Sequence, residues 1–358
     1  MSALQLYAGP TALRRLQRDG LRAEQFRMIV GASGGPKWFV LYGLDRYLFG
    51  SFFANSRHPL ATLGSSAGAW RLACLGLADP LAGIDRLAWH YSRQRYSARP
   101  SMHEISSEAR TLVNIVLGPT GAVEIAENER VSVHIVADRA RGLASSDSKA
   151  LLLSGLALCA AANALTRRSL RFSFERVLFH AGVLNPSLTH LRDMPTRSVM
   201  LTEQNVAAAL LASGSIPLVM EGVHNVPGAP PGVYRDGGIV DYHFDMPFLE
   251  GEGLVLYPHF YQHLTPGWFD KALRWRRVTP ANYHNVLLVT PSSEFVSRLP
   301  YGKIPDRKDF ESMDDATRFR YWQTVLSESE RLAEEFAQIV ETGVGLERIK
   351  PLTEIMNR

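Results

Sequence analysis

The chain has 358 residues, 46% hydrophobic and 21% charged, which suits a globular protein with a sizeable core and excludes disorder on a large scale. Lys and Arg number 39 against 35 Asp and Glu, a net charge of +4. That excess is too small to point to nucleic acid, and it is compatible with an anionic phospholipid surface.

In chain order, Phe26 to Val30 reads as a first strand ending at Gly31, and a helix follows from about Lys37 to Leu48. Leu60 to Leu63 is a short apolar strand, and Ala69 to Leu75 a helix that stops by Asp79-Pro80. Leu81 to Arg95 and Ser106 to Leu117 read as helices, and Val131 to Val136 as a strand. Ala150 to Thr166 carries no charge; its small residues suit a helix buried in the protein more than one lying on a membrane. Strands follow at Arg176 to His180 and Val233 to Arg235, separated by a helix that Thr202 caps and that runs to about Ala212. Leu254 to Tyr257 and Val286 to Thr290 are further strands, and Asp314 to Thr342 is one long charged helix. Strands alternating with helices predict an α/β sheet, mostly parallel and covered on both faces, with the ligand site beyond the strand ends.

Three segments that follow predicted strands carry chemistry. Gly64-Ser65-Ser66-Ala67-Gly68 has the form G-x-S-x-G between a strand and a helix, the setting of a nucleophile elbow. Ser66 is then a candidate covalent nucleophile, with Gly64 and Gly68 leaving room for the turn. Gly31-Ala32-Ser33-Gly34-Gly35-Pro36-Lys37 opens a helix and fits no nucleotide fingerprint. Its Gly34 and Gly35 amides suit an oxyanion hole, with Lys37 adding positive charge. Asp236-Gly237-Gly238 offers a carboxylate in an open turn, a candidate base for Ser66. Each segment alone also reads as a plain glycine-rich turn.

The three, in this order, resemble the patatin-like phospholipase family. Ala212-Ser213-Gly214-Ser215-Ile216-Pro217 is similar to a fourth block of that family, and the likeness spans roughly residues 27 to 250. The resemblance implies a three-layer α/β/α fold and a lipid acyl hydrolase that needs no cofactor. It implies a Ser–Asp dyad of Ser66 and Asp236 without histidine, acting on phospholipid or another lipid ester. The sequence departs from the family at Ser33, where glycine is usual, and at Trp38, where a small residue often follows the base. After Asp236-Gly237-Gly238 the usual asparagine is displaced by Tyr242 and His243, and Pro247 comes late.

Other readings remain open. One is an α/β-hydrolase with a Ser-His-Asp triad using a late histidine such as His284. Another is a catalytically weak lipid-binding or regulatory protein of the same fold. The chain is expected to form a single α/β domain over 1–358, with a catalytic core at 27–250 and an extension at 251–358. The segment Arg93 to Asn128 and the apolar helix are candidate lids. Pro266 to Val278 mixes aromatics and bases; as a helix it would place Trp268 and Trp275 on one face, towards a membrane or the core. Cys74 and Cys159 stand in apolar segments and read as free buried thiols, and no metal-ligand spacing occurs. Met1 to Tyr7 shows no signal sequence, so the expected compartment is the cytoplasm, with peripheral membrane association or leaderless export left open.

Overall fold

The computed structural model describes residues 2–249 and 251–356. Its centre is one mixed sheet. The strands are β1 (Leu4–Ala8), β2 (Phe26–Gly31), β3 (Leu60–Ser65), β4 (Val131–Ala140), β5 (Phe174–His180) and β6 (Thr196–Met200). They continue with β7 (Val223–His224), β8 (Val233–Asp236), β9 (Leu254–Pro258), β10 (Val286–Pro291) and β11 (Lys350–Pro351). The order is β11-β1-β10-β9-β2-β3-β4-β5-β6, with β8 paired to β4 and β7.

The run from β10 through β9, β2 and β3 to β4 is parallel. Every residue of β3, β5, β9 and β10 is buried, so both faces of the sheet are covered. This is the three-layer α/β/α arrangement that near-continuous apolar strands require. The strands after residue 251 are not an appendage, because β9 lies between β10 and β2 in the middle of the sheet.

Several boundaries differ from expectation. β1 precedes the first strand read from the sequence; it is only five residues long and its partner β10 lies far along the chain. The helix of 37–48 begins as a 3₁₀ turn at Gly35–Leu41 and becomes α-helical at Tyr42–Tyr47. Asn205, not Thr202, precedes the helix Val206–Ser213, and its Oδ1 accepts from the Thr202 amide. The long C-terminal helix is two helices, Asp315–Glu328 and Glu330–Thr342, broken at Ser329. Ser329 Oγ donates to the Leu326 carbonyl and accepts the Gly43 amide, which draws the break against the sheet-covering helix Tyr42–Tyr47.

The apolar helix, expected to be buried, and the aromatic–basic segment, expected as a helix, both differ from that reading. The apolar helix, Lys149–Leu165, buries only Leu152, Gly155, Leu156, Cys159 and Asn163. The rest of its surface is not packed inside the protein. Pro266 to Val278 is not a helix; only Trp268–Ala272 forms a short 3₁₀ turn. Asp270 dictates this. Its carboxylate is fully buried, accepts the Gly267 amide and Asn163 Nδ2, and faces Arg167 and Arg276. That capture closes the turn, so Trp268 and Trp275 share no helical face. Cys74 and Cys159 are buried free thiols. No described helix is long and apolar enough to cross a membrane.

One buried ion pair braces the elbow helix Ala67–Ala73. Arg71 Nε lies 2.9 Å from Asp45 Oδ2, with both side chains almost wholly buried. Burial pushes the Asp45 carboxyl up to about 7 against the pull of Arg71. Asp45→Ala strands the guanidinium and is expected to destabilise the fold by roughly 3–5 kcal/mol in urea titrations. The paired change Asp45→Leu with Arg71→Met is expected to restore most of that loss.

Candidate active site

The site is set by one edge of β4. Along that edge β3 pairs in parallel up to Ser65, opposite Val136. The next residue of β4, Ala137, pairs with Asp236 at the end of the antiparallel β8. The other edge of β4 is taken by β5. β3 and β8 therefore run towards each other along one strand and stop where their ends meet. The residue that follows Ser65 is Ser66, and it comes up against Asp236.

Ser66 is held at φ 54° and ψ −131°, a region that non-glycine residues rarely adopt. The elbow tolerates no bulk. A Cβ on Gly68 would lie 2.0 Å from the Gly31 carbonyl oxygen, and one on Gly64 would lie 2.6 Å from the Ala69 backbone. Ser66 Oγ donates to Asp236 Oδ2 at 2.7 Å, and the Gly238 amide donates to Oδ1 at 2.7 Å. Both residues are buried. Burial raises the Asp236 carboxyl to about 6, opposed by the bonds from Ser66 and Gly238 and by the positive charges of Lys271 and Arg307.

The fourth sequence block braces both partners. Ser213 Oγ accepts the Ser66 amide at 2.9 Å and donates to the Val136 carbonyl at 2.6 Å. The Asp236 amide donates to the Ser215 carbonyl at 2.9 Å. The turn after Asp236 is anchored by buried charge. Arg176 donates to both carboxylate oxygens of Asp241 and both of Asp193. The Val240 amide donates to Asp138, whose carboxyl burial and the nearby Asp241 push well above its ordinary range.

The glycine-rich loop lies beside the dyad. Gly34, Gly35 and Lys37 share a cavity of about 480 Å³ with Ser66 and Asp236. Gly35 has φ +55°, and a Cβ on Gly34 would strike the Phe260 ring at 2.5 Å. Neither amide donates to a protein acceptor among the described residues. Ser33 turns inward and bonds Ser65 Oγ at 2.7 Å, and Ser65 in turn donates to the Asp241 carbonyl. The hydroxyl thus ties the loop to the elbow and to the turn after the dyad. Trp38 is buried against Phe39 and Tyr42 and stays out of the cavity.

The chain was compared with known proteins. No family model matches it, and neither does any curated protein. Among solved structures, VipD from Legionella pneumophila is similar at 12% identity and a TM-score of 0.36, over 93% of this chain and 70% of that chain. At that score the likeness says nothing about chemistry.

Arg307 and Lys308, which carried no readable sequence signal, line the same cavity as the dyad, and so does Lys271 from the aromatic and basic segment. Lys271 is exposed as a whole, but its ammonium lies 3.7 Å from the centre of the Tyr242 ring. Burial there, with Lys37 nearby, lowers it to about 8. Lys37 is not a free cation, since it pairs with Asp306. Trp268 lines this cavity, whereas Trp275 projects into solvent away from it.

A second cavity of about 440 Å³ also reaches Ser66 and shares Gly35, Ile216 and Arg307 with the first. Its walls are mainly apolar, among them Trp70, Ile105, Val219, Met220 and Phe310. Tyr96 and Ala109, within the segment read as a candidate lid, line it too. His243 and His263 line the cavity that holds the dyad. His284 is exposed near Thr11. His243 is buried, its imidazole held well below the usual histidine range by burial and by His259 and His263, and its Nδ1 accepts the Thr265 amide. No histidine bonds Ser66 or Asp236 among the described residues. No group of three or more His, Cys, Asp or Glu residues able to hold a metal occurs among them either.

The raised Asp236 carboxyl has a stability consequence. The native state holds this proton more tightly than the unfolded chain, so stability is lost as pH rises from 3.8 through about 6. Asp236→Asn removes that cost. It is expected to be more stable than the wild type by roughly 1–3 kcal/mol at about pH 7.5 and no more stable at about pH 3.5, in denaturant titrations.

Proposed function

We propose that the protein is a serine-dependent lipid acyl hydrolase of the patatin type, working through Ser66 and Asp236. The observation that carries this reading is the 2.7 Å bond from a strained, elbow-held Ser66 Oγ to a buried Asp236 carboxylate. The two cavities that reach Ser66 support the substrate class. Both are lined largely by apolar atoms, which suits an acyl chain, and Lys37 and Lys271 in the one that holds Asp236 bring positive charge to an anionic head group.

In the proposed reaction Asp236 accepts the Ser66 proton as Oγ attacks the acyl carbonyl carbon. The electron pair of the C=O bond moves to oxygen, and the Gly34 and Gly35 amides face the resulting oxyanion. Collapse restores the carbonyl and expels the alcohol, which takes the proton from Asp236. Water then attacks the acyl-serine, giving its proton to Asp236. The second collapse frees the fatty acid and returns the proton to Ser66. The carboxylate needs no histidine, because burial has already raised its proton affinity to about 6. With this dyad in place, a triad through His284 has no support, since that side chain lies at the surface near Thr11.

Against a panel of phospholipids and soluble esters, Ser66→Ala is expected to abolish turnover. Asp236→Asn is expected to lower kcat about 10²–10⁴-fold, and His284→Ala to leave it unchanged. A Ser66→Ala protein with full activity would refute the reading. The base must be ionised, so kcat/KM is expected to rise with pH and level off above about 6. Lys271 holds the Asp236 carboxyl down, so Lys271→Met is expected to move that acid limb to higher pH.

A further inference from the structure

The helix Lys149–Leu165 is apolar on every side but buried on only one. Its packed side rests on a small separate core that includes Phe174, Ile239 and Val240. Its open side carries Leu151, Leu158 and Leu165, spaced seven residues apart and 49%, 64% and 88% exposed. That spacing sets them in one row along the helix. Leu153 is 56% exposed and Phe172, just beyond the helix, 79%. With Leu143, they make half of the twelve large apolar side chains exposed among the described residues. Scattered exposed leucines need no explanation, but such a concentration on one helix and the two turns that flank it does.

The charge carried by this stretch has one sign. From Lys149 to Phe172 the charged residues are Lys149, Arg167, Arg168 and Arg171, with no acid among them. Arg167 is spent on Asp193 and Asp270. Lys149, Arg168 and Arg171 are exposed and form no ion pair among the described residues. Nearby, the segment 271–277 adds exposed Arg274 and again no acid. The nearest preceding acid, Asp147, is engaged by His224. An apolar row with a basic border is the pattern of a helix that lies in a lipid interface: leucines among acyl chains, bases on phosphates.

We propose that this face of Lys149–Leu165 docks on an anionic lipid bilayer. The docking is mechanically tied to the cavity. Asn163, on the packed side, donates to Asp270 at 2.8 Å, and its carbonyl accepts from Arg276 at 2.7 Å. Asp270 sits between Trp268 and Lys271, both in the wall of the cavity that holds Ser66 and Asp236. The same helix shares its small core with Ile239 and Val240, next to the Asp236 turn. A bilayer on the leucine row would thus lie against elements that build the cavity. The docking needs no turnover; only its benefit to catalysis rests on the hydrolase reading.

The test is co-sedimentation of the Ser66→Ala protein, which spares the lipid, with vesicles of phosphatidylcholine alone or mixed with phosphatidylglycerol. Binding is expected to the mixed vesicles and to weaken as salt rises. In that background Leu158→Glu with Leu165→Glu, and separately Arg168→Glu with Arg171→Glu, are each expected to weaken it at least about tenfold. The same pairs in the wild-type background should hydrolyse a short soluble ester at the unaltered rate, which certifies their fold. Retained vesicle binding by both pairs, or no binding of the parent protein, would overturn the proposal. So would a dimer in sedimentation velocity without lipid that Leu158→Glu dissociates, since a second copy would then be the occupant. Absence of ester turnover with intact vesicle binding would count against the hydrolase reading alone.

Discussion

The structure depends on two strands meeting end to end on one edge of a third. β4 is long enough to pair first with β3 and then, in the opposite sense, with β8. Ser65 and Asp236 oppose consecutive residues of β4, so the dyad separation follows from backbone hydrogen bonding and not from side-chain adjustment. Everything near the site reinforces that junction. Ser213 clips the Ser66 amide to the β4 backbone, Ser215 receives the Asp236 amide, and Ser33 bonds across to Ser65. The tight approach of Gly68 to Gly31 brings the glycine-rich loop into the same place.

The electrostatics follow from the same crowding. A carboxylate buried at a strand junction has lost its water, and two hydrogen bonds only partly replace it. The result is a base near 6, poised for a neutral solution, at a cost in stability. Ser66 adds backbone strain at the same point. Buried pairs fix the backbone around it, Arg71 with Asp45 at the elbow helix and Arg176 with Asp241 and Asp193 after the turn. Strain and desolvation are thus concentrated where chemistry is proposed, and rigidity is supplied around them.

Much of this was legible in the residues. Apolar strands alternating with helices signalled a covered, mostly parallel sheet. Gly64 to Gly68 signalled a strained turn, because two glycines flanking a serine between strand and helix have a steric purpose. What stayed hidden was non-local. β8 is antiparallel to β4, and no periodicity announces strand direction. The block at Ala212 to Pro217 is visible in the residues, but the bonds of Ser213 to Val136 and Ser66 are not. Lys271 and Arg307 reach the cavity only because β9 inserts into the sheet centre and carries the chain after it back over the site. The segment at 266–278 misled because helical spacing ignores tertiary capture, and Asp270 is claimed by Asn163, Arg167 and Arg276. The apolar helix misled in the opposite way, since composition does not reveal how much of a helix its neighbours cover.

The central claim is that Asp236 activates Ser66 as a covalent nucleophile. It is tested most directly by reacting the protein with a fluorophosphonate and mapping the adduct by peptide mass spectrometry. The account predicts one adduct, on Ser66, formed rapidly above about pH 6 and slowed by orders of magnitude in Asp236→Asn. An adduct on another residue, or equally fast labelling of Ser66 without the Asp236 carboxylate, would contradict it.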